Sequence, residues 1–386
     1  MSLQANHRLL CPGPVNVDSR IARALTSAEP CHREDEFEQL LESLMGGLLA
    51  VADLSPKTHA AVVITGSGSA ANEAVISSIV PEGEAVLVIS NGEFGERLAR
   101  TSAHHHPRTE HLAFAWGEPI DLLRVGSALR ARHFAVVAVV HHETSTGMLN
   151  PVRDIAALCH SVGSQLYVDA VSSFAADPLD LQAPGIAFVG TSAGKALSAY
   201  PGLAVVFGTH EAFVRLETIR ARTQYLDLGR HYRMALEHSQ TPNTPAVPLF
   251  LALDEAVRLV LEEGVAARMQ RLRSHQEFIR TRLAALGCEL LFDASVATSN
   301  VLTTCWLPEG VGYESLRVAL RERGFIVYGG KGPLLNRVMQ VSALGTVDRD
   351  ALQAFFEALA DAIACVRLAD AQTELQTVTL NDVAAE

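Results

Sequence analysis

Between about residues 60 and 208, short apolar runs alternate with amphipathic stretches of helical pattern. The apolar runs show no polar–apolar alternation, which is typical of strands buried on both faces. Buried strands separated by helices predict an α/β fold with a doubly wound, mostly parallel sheet. The predicted strands cover 60–66, 85–90, 109–115, 134–141, 165–170, 186–191 and 203–208, and the predicted helices 69–80, 94–104, 119–131 and 152–162.

The remainder of the chain predicts a second, smaller α+β domain. Residues 209–285 have a helical pattern, longest over 246–285. After it, strands are expected at 288–293, 299–307, 325–328 and 338–342, and helices at 313–323 and 348–365. We therefore expect an N-terminal arm (1–20), a large domain (21–255), a small C-terminal domain (256–366) and a flexible tail (367–386).

Composition narrows the possible partners and location. The net charge of −12 disfavours binding to nucleic acid or to acidic membranes, because both require basic surface. No apolar run is long enough to span a bilayer, and the N-terminus lacks a signal pattern. The six cysteines form no CxxC pair and no zinc-like spacing, so we expect a reducing, cytoplasmic setting and no metal site.

Lysine is rare in this chain, and one lysine occupies a chemically informative position. The sequence has three lysines against 28 arginines, and Lys195 closely follows the predicted strand 186–191. Asp169 ends the preceding strand. A strand-end Asp is also a common helix cap, and a loop Lys is often merely solvated. Together they predict pyridoxal phosphate (PLP) chemistry, with a Schiff-base lysine and an acid that keeps the pyridine nitrogen protonated.

Polar or aromatic residues follow three other predicted strands. The first stretch, 65–73, places Ser67, Gly68 and Ser69 between a strand and a helix, where backbone N–H groups and hydroxyls can bind phosphate. It matches neither a Walker loop nor a dinucleotide fingerprint. Phe94 follows the next strand and offers a face for stacking, and Thr144 follows strand 134–141 with a donor hydroxyl. Each feature alone also fits an ordinary cap, loop or turn.

Several segments together carry a wider pattern, namely 10–14 (LCPGP), 65–73, 90–95, 143–151 (ETSTGMLNP), 168–174 (VDAVSSF), Lys195 with Pro201 and Gly202, and 241–245 (TPNTP). Across essentially its whole length the chain resembles the class V aminotransferases of PLP fold type I. Within that family it is most similar to the 2-aminoethylphosphonate–pyruvate and alanine(serine)–glyoxylate aminotransferases.

The resemblance implies a homodimer that uses pyridoxal 5′-phosphate to move an amino group from a small amine or amino acid to a 2-oxo acid such as pyruvate or glyoxylate. It implies that Lys195 holds the cofactor and shuttles protons while Asp169 pairs with the pyridine nitrogen. The other implied contacts are Ser67, Gly68 and Ser69 to the phosphate, Phe94 and Val171 to the ring faces, Thr144 to the ring hydroxyl, Thr241 and Thr244 to the neighbouring subunit's phosphate, and Gly13 near the substrate.

Two positions depart from the family pattern. Gly194 precedes the lysine where relatives usually carry a polar side chain. Gln340 stands where the family has a substrate-binding arginine, and an amide cannot bind a carboxylate with full charge. Arg337 would point to the other face of its strand and is a poor substitute, and Arg33 is another candidate.

Two alternatives to an aminotransferase remain open on the same fold. One is a PLP-dependent lyase or desulfurase. A desulfurase needs a nucleophilic cysteine on a mobile loop, and the loop 329–333 has none, while Cys305 fits a strand core. The other is a catalytically silent relative with a binding role, which the Lys195–Asp169 pair disfavours.

Overall fold

The structure, a computed structural model, describes the backbone of residues 7–383 and the side chains of residues 7–368. The start of the predicted arm and the end of the predicted tail lie outside the described residues. The strands are β1 (Arg8–Leu9), β2 (His59–Thr65), β3 (Val86–Ser90), β4 (Thr109–Ala113), β5 (Val136–Val140), β6 (His142–Glu143), β7 (Met148–Leu149), β8 (Gln165–Asp169), β9 (Ile186–Ser192), β10 (Leu203–Thr209), β11 (Leu302–Trp306), β12 (Phe325–Ile326), β13 (Tyr328–Gly329) and β14 (Val338–Ser342). The helices are α1 (Ser19–Leu25), α2 (Asp35–Val51), α3 (Gly68–Ile79), α4 (Glu93–His105), α5 (Leu122–Ala131), α6 (Val152–Val162), α7 (His210–Arg215), α8 (Leu228–His238), α9 (Val247–Glu263), α10 (Val265–Ala285), α11 (Tyr313–Glu322) and α12 (Arg349–Val383).

Seven strands form the central sheet in the order β2-β10-β9-β8-β5-β3-β4. Every neighbouring pair is parallel except the two that β10 makes. Successive residues of a strand enter different cores, as Val62 and Val63 do, because side chains alternate between the two faces. The prediction of a doubly wound, mostly parallel sheet is confirmed. The carboxyl ends of its parallel strands therefore lie along one edge, where such sheets bind ligands.

The small layer is an antiparallel sheet, β11-β14-β13, packed against helices. Its core joins Met339 of β14 to Leu283 of α10, Leu316 of α11 and Phe355 of α12. Strand β1 pairs in parallel with β12, so residues 8–9 are attached to this layer. Because Leu10 packs in the same core, the segment that follows β1 is held beside the sheet edge that carries the site.

Two predicted strands of the small layer differ in the structure. Residues 288–293 make a single bridge, Leu290 opposite Cys305, and no continuous strand. The chain turns away at Asp293, whose carboxylate accepts the Ser295 amide at 2.8 Å. The predicted strand 325–328 is two strands, because β12 pairs with β1 and β13 pairs with β14.

Helix boundaries also differ from the sequence pattern. The pattern over 246–285 is two helices, since Gly264 adopts φ 82 between α9 and α10. The last helix continues to Val383 and does not end near 365. Between α7 and α8, and again between α8 and α9, the chain is largely non-helical. Among the described residues, no helix is both long enough and apolar enough to cross a membrane.

Candidate active site

Asp169 and Lys195 come together at the carboxyl edge of the sheet. Asp169 is the last residue of β8, and Lys195 lies three residues beyond the end of β9, its parallel neighbour. Both side chains line one cavity of about 500 Å³ between the two layers. The other predicted site residues that line this cavity are Gly13, Ser67, Gly68, Ser69, Phe94, Thr144, Val171 and Gln340.

The Asp169 carboxylate is held in a fixed position by donors from two elements. Its oxygens accept the Val171 amide at 2.9 Å and the Asn72 side-chain amide at 2.7 Å. Tyr167 in turn donates its hydroxyl to Asn72 at 2.6 Å, which orients that amide. Burial raises the pKa of Asp169, and the hydrogen bonds and the charges of Arg97 and Lys195 lower it only in part. A positive charge supplied by a ligand would stabilise the ionised form here.

The Lys195 side chain lies against the N-terminal segment. A Cβ added at Gly13, which has φ 146, would lie 2.7 Å from the Lys195 Cδ, so only glycine fits there. The Lys195 carbonyl closes a turn by accepting the Ser198 amide at 2.9 Å. Burial lowers the pKa of the Lys195 amine, which favours the neutral amine that can attack a carbonyl.

The N-terminus of α3 forms one end of the cavity. Ser67 is its N-cap residue, and its hydroxyl makes no capping hydrogen bond to the helix. A Cβ at Gly68 would lie 2.7 Å from a Val171 methyl carbon, so glycine lets the helix end approach this wall closely. Free amides and hydroxyls at a helix N-terminus bind anions, and Ser69 lies in the same first turn.

Phe94 lies half-buried at the start of α4, and a buried carboxylate fixes its backbone. Glu143 accepts the Phe94 amide at 3.2 Å and the Gly95 amide at 3.0 Å. Its oxygen also accepts the Ser145 hydroxyl at 2.5 Å. Burial raises the Glu143 pKa, and these hydrogen bonds oppose that rise. This role of Glu143 was not predicted from the sequence. Glu143 and Phe94 are 49 residues apart, so no local sequence pattern connects the carboxylate with the helix that it caps.

Thr144 and His142 occupy the wall beside β5. The Thr144 hydroxyl donates to Ser172 Oγ at 2.7 Å, and Thr144 lines the cavity. His142 is 1% exposed and lines it too, but its Nε2 has no partner among the described residues. Burial lowers the His142 pKa to about 3, so the ring is neutral. The described residues therefore leave one buried polar atom of this wall unsatisfied.

Gln340 lies on β14, facing the large domain. Its Nε2 donates to the carbonyl oxygens of Thr144 and Ser145, each at 3.1 Å, and to Thr304 Oγ1 at 3.2 Å. Two carbonyl oxygens decide the amide orientation, because a carbonyl accepts and does not donate. Gln340 therefore presents its Oε1, an acceptor, to the cavity.

Three predicted site residues do not line the cavity. Arg33 is exposed and donates to Gln240 Oε1 at 2.7 Å and to the Thr241 carbonyl at 3.1 Å. Thr241 is buried and donates to the Asn243 carbonyl at 2.8 Å, while Thr244 is exposed. The proposed place of Arg33 at the substrate is thus not found within one chain, because it extends toward the 240–244 loop.

Other residues that line the cavity were not proposed from the sequence. Arg97, Tyr328 and Lys331 all contribute side chains. Arg97 lies one helical turn after Phe94, so helix periodicity could have predicted that both side chains lie on the same face of α4. The Tyr328 hydroxyl donates to the Gly13 carbonyl at 3.2 Å. Lys331 belongs to the glycine-rich loop 329–333, whose composition alone does not reveal where its side chain points.

The chemistry of this cavity fits PLP. Asp169 is a buried acid whose ionised form its hydrogen bonds and nearby charges stabilise only in part. Lys195 supplies an amine with a lowered pKa, and α3 supplies an anion-binding helix end. These groups match a cofactor with a pyridine nitrogen, a carbonyl and a phosphate.

Comparisons with known proteins agree with this geometry. Residues 49–349 match the family described as aminotransferase class-V. An uncharacterized aminotransferase of Methanocaldococcus jannaschii is 33% identical over 94% of this chain and 92% of its own length. A 2-aminoethylphosphonate–pyruvate transaminase of Salmonella schwarzengrund is 33% identical over 84% of this chain and 89% of its own.

Solved structures show the same fold. The crystal structure of an alanine–glyoxylate aminotransferase from Nostoc has a TM-score of 0.88 at 28% identity, and the match covers 94% of this chain and 96% of that one. A pyridoxamine–pyruvate aminotransferase from Mesorhizobium loti has a TM-score of 0.88 at 25% identity, covering 97% and 99%. The chain described here belongs to the class V aminotransferase family, and it is a PLP-dependent enzyme of fold type I.

Proposed function

We propose that this enzyme is a cytoplasmic homodimer that transfers an amino group from a small amine or amino acid to pyruvate or glyoxylate. Its first candidate donor is 2-aminoethylphosphonate. The observation that carries the proposal is the convergence of Asp169 and Lys195 on one cavity, beside a helix N-terminus. The names of similar proteins, a 2-aminoethylphosphonate–pyruvate transaminase and an alanine–glyoxylate aminotransferase, support this substrate class.

The proposed roles follow from the position of each side chain. When bound, PLP supplies a carbonyl that captures an amine and a ring that accepts electrons. The carboxylate of Asp169 would hold a proton on the ring nitrogen. Burial lowers the pKa of Lys195 Nζ, which favours the neutral amine that can accept a proton. Ser67, Gly68 and Ser69 would hold the phosphate at the start of α3.

The remaining walls would position the ring. Phe94 and Val171 line the cavity from different elements and offer apolar surface for its two faces. The Thr144 hydroxyl, which donates to Ser172 in the structure, can turn to a ring oxygen. Gly13 leaves room for the lysine and for substrate beside it, because no side chain is tolerated there.

A second subunit would complete the site. Arg33 contacts the loop that carries Thr241 and Thr244, and none of the three residues lines the cavity of its own chain. Asn243, in the same loop, has a buried Nδ2 with no partner among the described residues. Buried polar atoms rarely remain unpaired, so an approaching chain is a reasonable source of the partner. We infer that this loop reaches the neighbouring subunit's phosphate.

A desulfurase remains the competing activity, and the thiol near the site disfavours it. Cys11 lies near enough to Lys195 for their charges to interact. Its Sγ donates to the Pro14 carbonyl at 3.2 Å, and burial raises its pKa. A desulfurase requires a reactive thiolate, and this environment keeps the thiol protonated. The described cysteines are all free, which supports a reducing, cytoplasmic setting.

Half-reactions of the holoenzyme test the proposed function. The PLP form is mixed with 2-aminoethylphosphonate, alanine or serine, and conversion to the pyridoxamine form is followed by absorbance. We expect conversion with at least one donor, and recovery of the PLP form with pyruvate or glyoxylate. Borohydride reduction and peptide mapping should place the pyridoxyl group on Lys195, with Lys57 and Lys331 unlabelled. Sulfur release from cysteine without amino transfer would favour the desulfurase.

Mixed dimers test the shared site. A Lys195→Ala chain and a Thr244→Arg chain are each expected to be nearly inactive alone. Mixing them creates some sites that contain neither substitution, so part of the activity should return. A fully active monomer in sedimentation would contradict the dimer.

A further inference from the structure

The cavity must bind an acid group if the proposed substrates are correct, and Gln340 is poorly suited to do so. Its Nε2 is engaged by the Thr144 and Ser145 carbonyl oxygens. The Oε1 that remains is an acceptor, and two acceptors repel. A carboxylate or phosphonate therefore needs a donor from another element of the cavity wall.

The described residues that line the cavity include three Lys or Arg side chains: Lys195, Arg97 and Lys331. Lys195 has its place in the chemistry. Arg97 lies 3.3 Å from the Glu93 carboxylate, which it shares with Arg100, also at 3.3 Å, so its charge is compensated in part. No carboxylate oxygen of the described side chains lies within 4.0 Å of Lys331 Nζ. Lys331 is thus the cation most available to a substrate.

The Lys331 loop is positioned by close packing around its glycines. A Cβ at Gly329 would lie 2.7 Å from the Tyr313 ring, and one at Gly332, where φ is 49, would lie 2.7 Å from the Trp116 ring. A Cβ at Gly330 would collide with the Leu334 carbonyl oxygen. The backbone on both sides of Lys331 is therefore constrained, which lowers the entropic cost of using its side chain.

The ammonium group lies beside the Phe94 ring, which lines the same cavity. Lys331 Nζ is 5.2 Å from the centroid of the Phe94 ring, which holds a cation without neutralising it. Its charge contributes to the lowered pKa of Lys195, so the two amines are near one another. Lys331 is exposed, which places it at the mouth of the cavity.

We propose that Lys331 binds the acid group of the substrate and so selects amines and oxo compounds that carry an oxyanion. The inference rests on the proposed aminotransferase function, because it assigns a substrate-binding residue to that site. The oxyanion is a carboxylate or a phosphonate, since an ammonium group pairs with either. Selection by Lys331 would favour a donor whose acid group reaches the mouth while its nitrogen reaches Lys195.

Binding of unreactive acids to the holoenzyme tests the proposal. Propionate and ethylphosphonate carry the acid group without an amine, and propanamide is the neutral control. Trp116, packed against Gly332, reports binding by fluorescence, with Trp306→Phe in all proteins to remove the other tryptophan. Lys331→Met should weaken acid binding by about ten- to a hundredfold, the range for a lost charge-assisted hydrogen bond. Lys331→Arg should retain most of it.

Lys57→Met is the matched control, because Lys57 is exposed, does not line the cavity, and its loss changes the net charge equally. It should leave acid affinity unchanged. Weakening of propionate alone, of ethylphosphonate alone, or of both identifies the acid group that Lys331 binds. Equal acid affinities in wild type and Lys331→Met would overturn the proposal. The proposal would also be overturned if acid affinity fell in an Arg97→Met variant and not in Lys331→Met. A loss of PLP affinity in Lys331→Met that parallels its loss of acid affinity would have the same consequence.

Half-reaction rates separate this inference from the proposed function. Lys331→Met should lose more efficiency with alanine and 2-aminoethylphosphonate than with propylamine, because only the first two donors carry an acid group. A wild type that binds acids through Lys331 but converts no amine would refute the proposed function and leave the anion site standing. A wild type that converts anionic donors as fast as Lys331→Met does would refute the anion site alone.

Discussion

The side-chain amide of Gln340 lies 3.1 Å from the carbonyl oxygen of Thr144, and this hydrogen bond joins the small layer to the wall of the cavity. Both residues are buried, at 4% and 3% exposure. Among the described residues, Gln340 is the one residue of β14 that lines the cavity. The contact with Thr144 uses its N–H donor, which is then not available to a substrate. The position therefore contributes more to domain packing than to anion recognition.

Replacing Gln340 by arginine should add the missing charge. A guanidinium has enough N–H groups to keep the contacts with the Thr144 and Ser145 carbonyls and still face the cavity. We expect Gln340→Arg to lower the KM for pyruvate about tenfold or more in alanine–pyruvate exchange. Gln340→Met, the neutral control, should lower stability without improving KM. An unchanged KM in Gln340→Arg would show that the side chain does not reach the acid group.

Asp169→Asn should preserve cofactor binding but slow turnover. The neutral side chain no longer stabilises a proton on the ring nitrogen, and loss of one preorganised electrostatic contact costs about a thousandfold in kcat. Steady-state kinetics and PLP affinity are the measurements. Asp177→Asn is the control, because Asp177 is an equally buried acid that does not line the cavity. Comparable turnover in both variants would contradict the assignment of Asp169.

Arg268 should position the Lys195 turn from behind. Its Nη2 donates to the Ala196 carbonyl and to Ser198 Oγ, and its Nη1 lies 2.9 Å from Glu263. Ser198 has φ 59, a conformation that needs such support. Arg268→Met should lower the free energy of unfolding by about 1–3 kcal/mol for each polar group left without a partner, which thermal unfolding measures. It should also lower kcat by a larger factor than it changes KM.

Two further variants distinguish support of the turn from a general loss of charge. Arg268→Lys should restore part of kcat, since it can still donate to one oxygen. Arg271 is the second arginine paired with Glu263, and Arg271→Met leaves the hydrogen bonds to the Lys195 turn in place. We therefore expect its kcat to be unchanged. A kcat loss equal to that of Arg268→Met would point to Glu263 and not to the turn.

His141 should make the protein sensitive to mild acid. Burial lowers its pKa to about 4 from 6.5. The unfolded chain takes up the proton first as pH falls, so this stabilising contribution is full above pH 6.5 and is lost as the pH falls toward 4. The loss is at most about 3 kcal/mol. Urea unfolding from pH 7.5 to 4.5 should show a shallower decline in His141→Asn, which can still pair with Ser173. If stability falls equally with pH in wild type and His141→Asn, His141 is not the source of the acid sensitivity.

The sheet and the Asp169–Lys195 pair could be predicted from the sequence because each depends on a local pattern of residues. A strand buried on both faces must be a continuous apolar run, as in β5 and β10. Once consecutive strands are parallel, residues just beyond their carboxyl ends share one edge, whatever the details of packing. The same reasoning placed Ser67 and Thr144 on the cavity wall.

The apolar pattern failed where a local turn or a single glycine interrupts an element. Residues 288–293 are apolar enough for a strand, but the turn at Asp293 interrupts their pairing. Two helices share one continuous pattern because Gly264 changes direction without breaking the periodicity.

What the sequence alone determined is a doubly wound, mostly parallel sheet and the identity of the chemical groups at its edge, since both follow from short-range pattern. Which way a side chain points was decided only by the tertiary structure. Gln340 faces two carbonyl oxygens some 195 residues away, and Arg33 turns to the 240–244 loop instead of the cavity. Lys331 stands free at the mouth because packing around Gly329 and Gly332 holds its loop there. Hydrogen bonds and close contacts between segments remote in sequence set these directions, and a one-dimensional pattern carries no record of them.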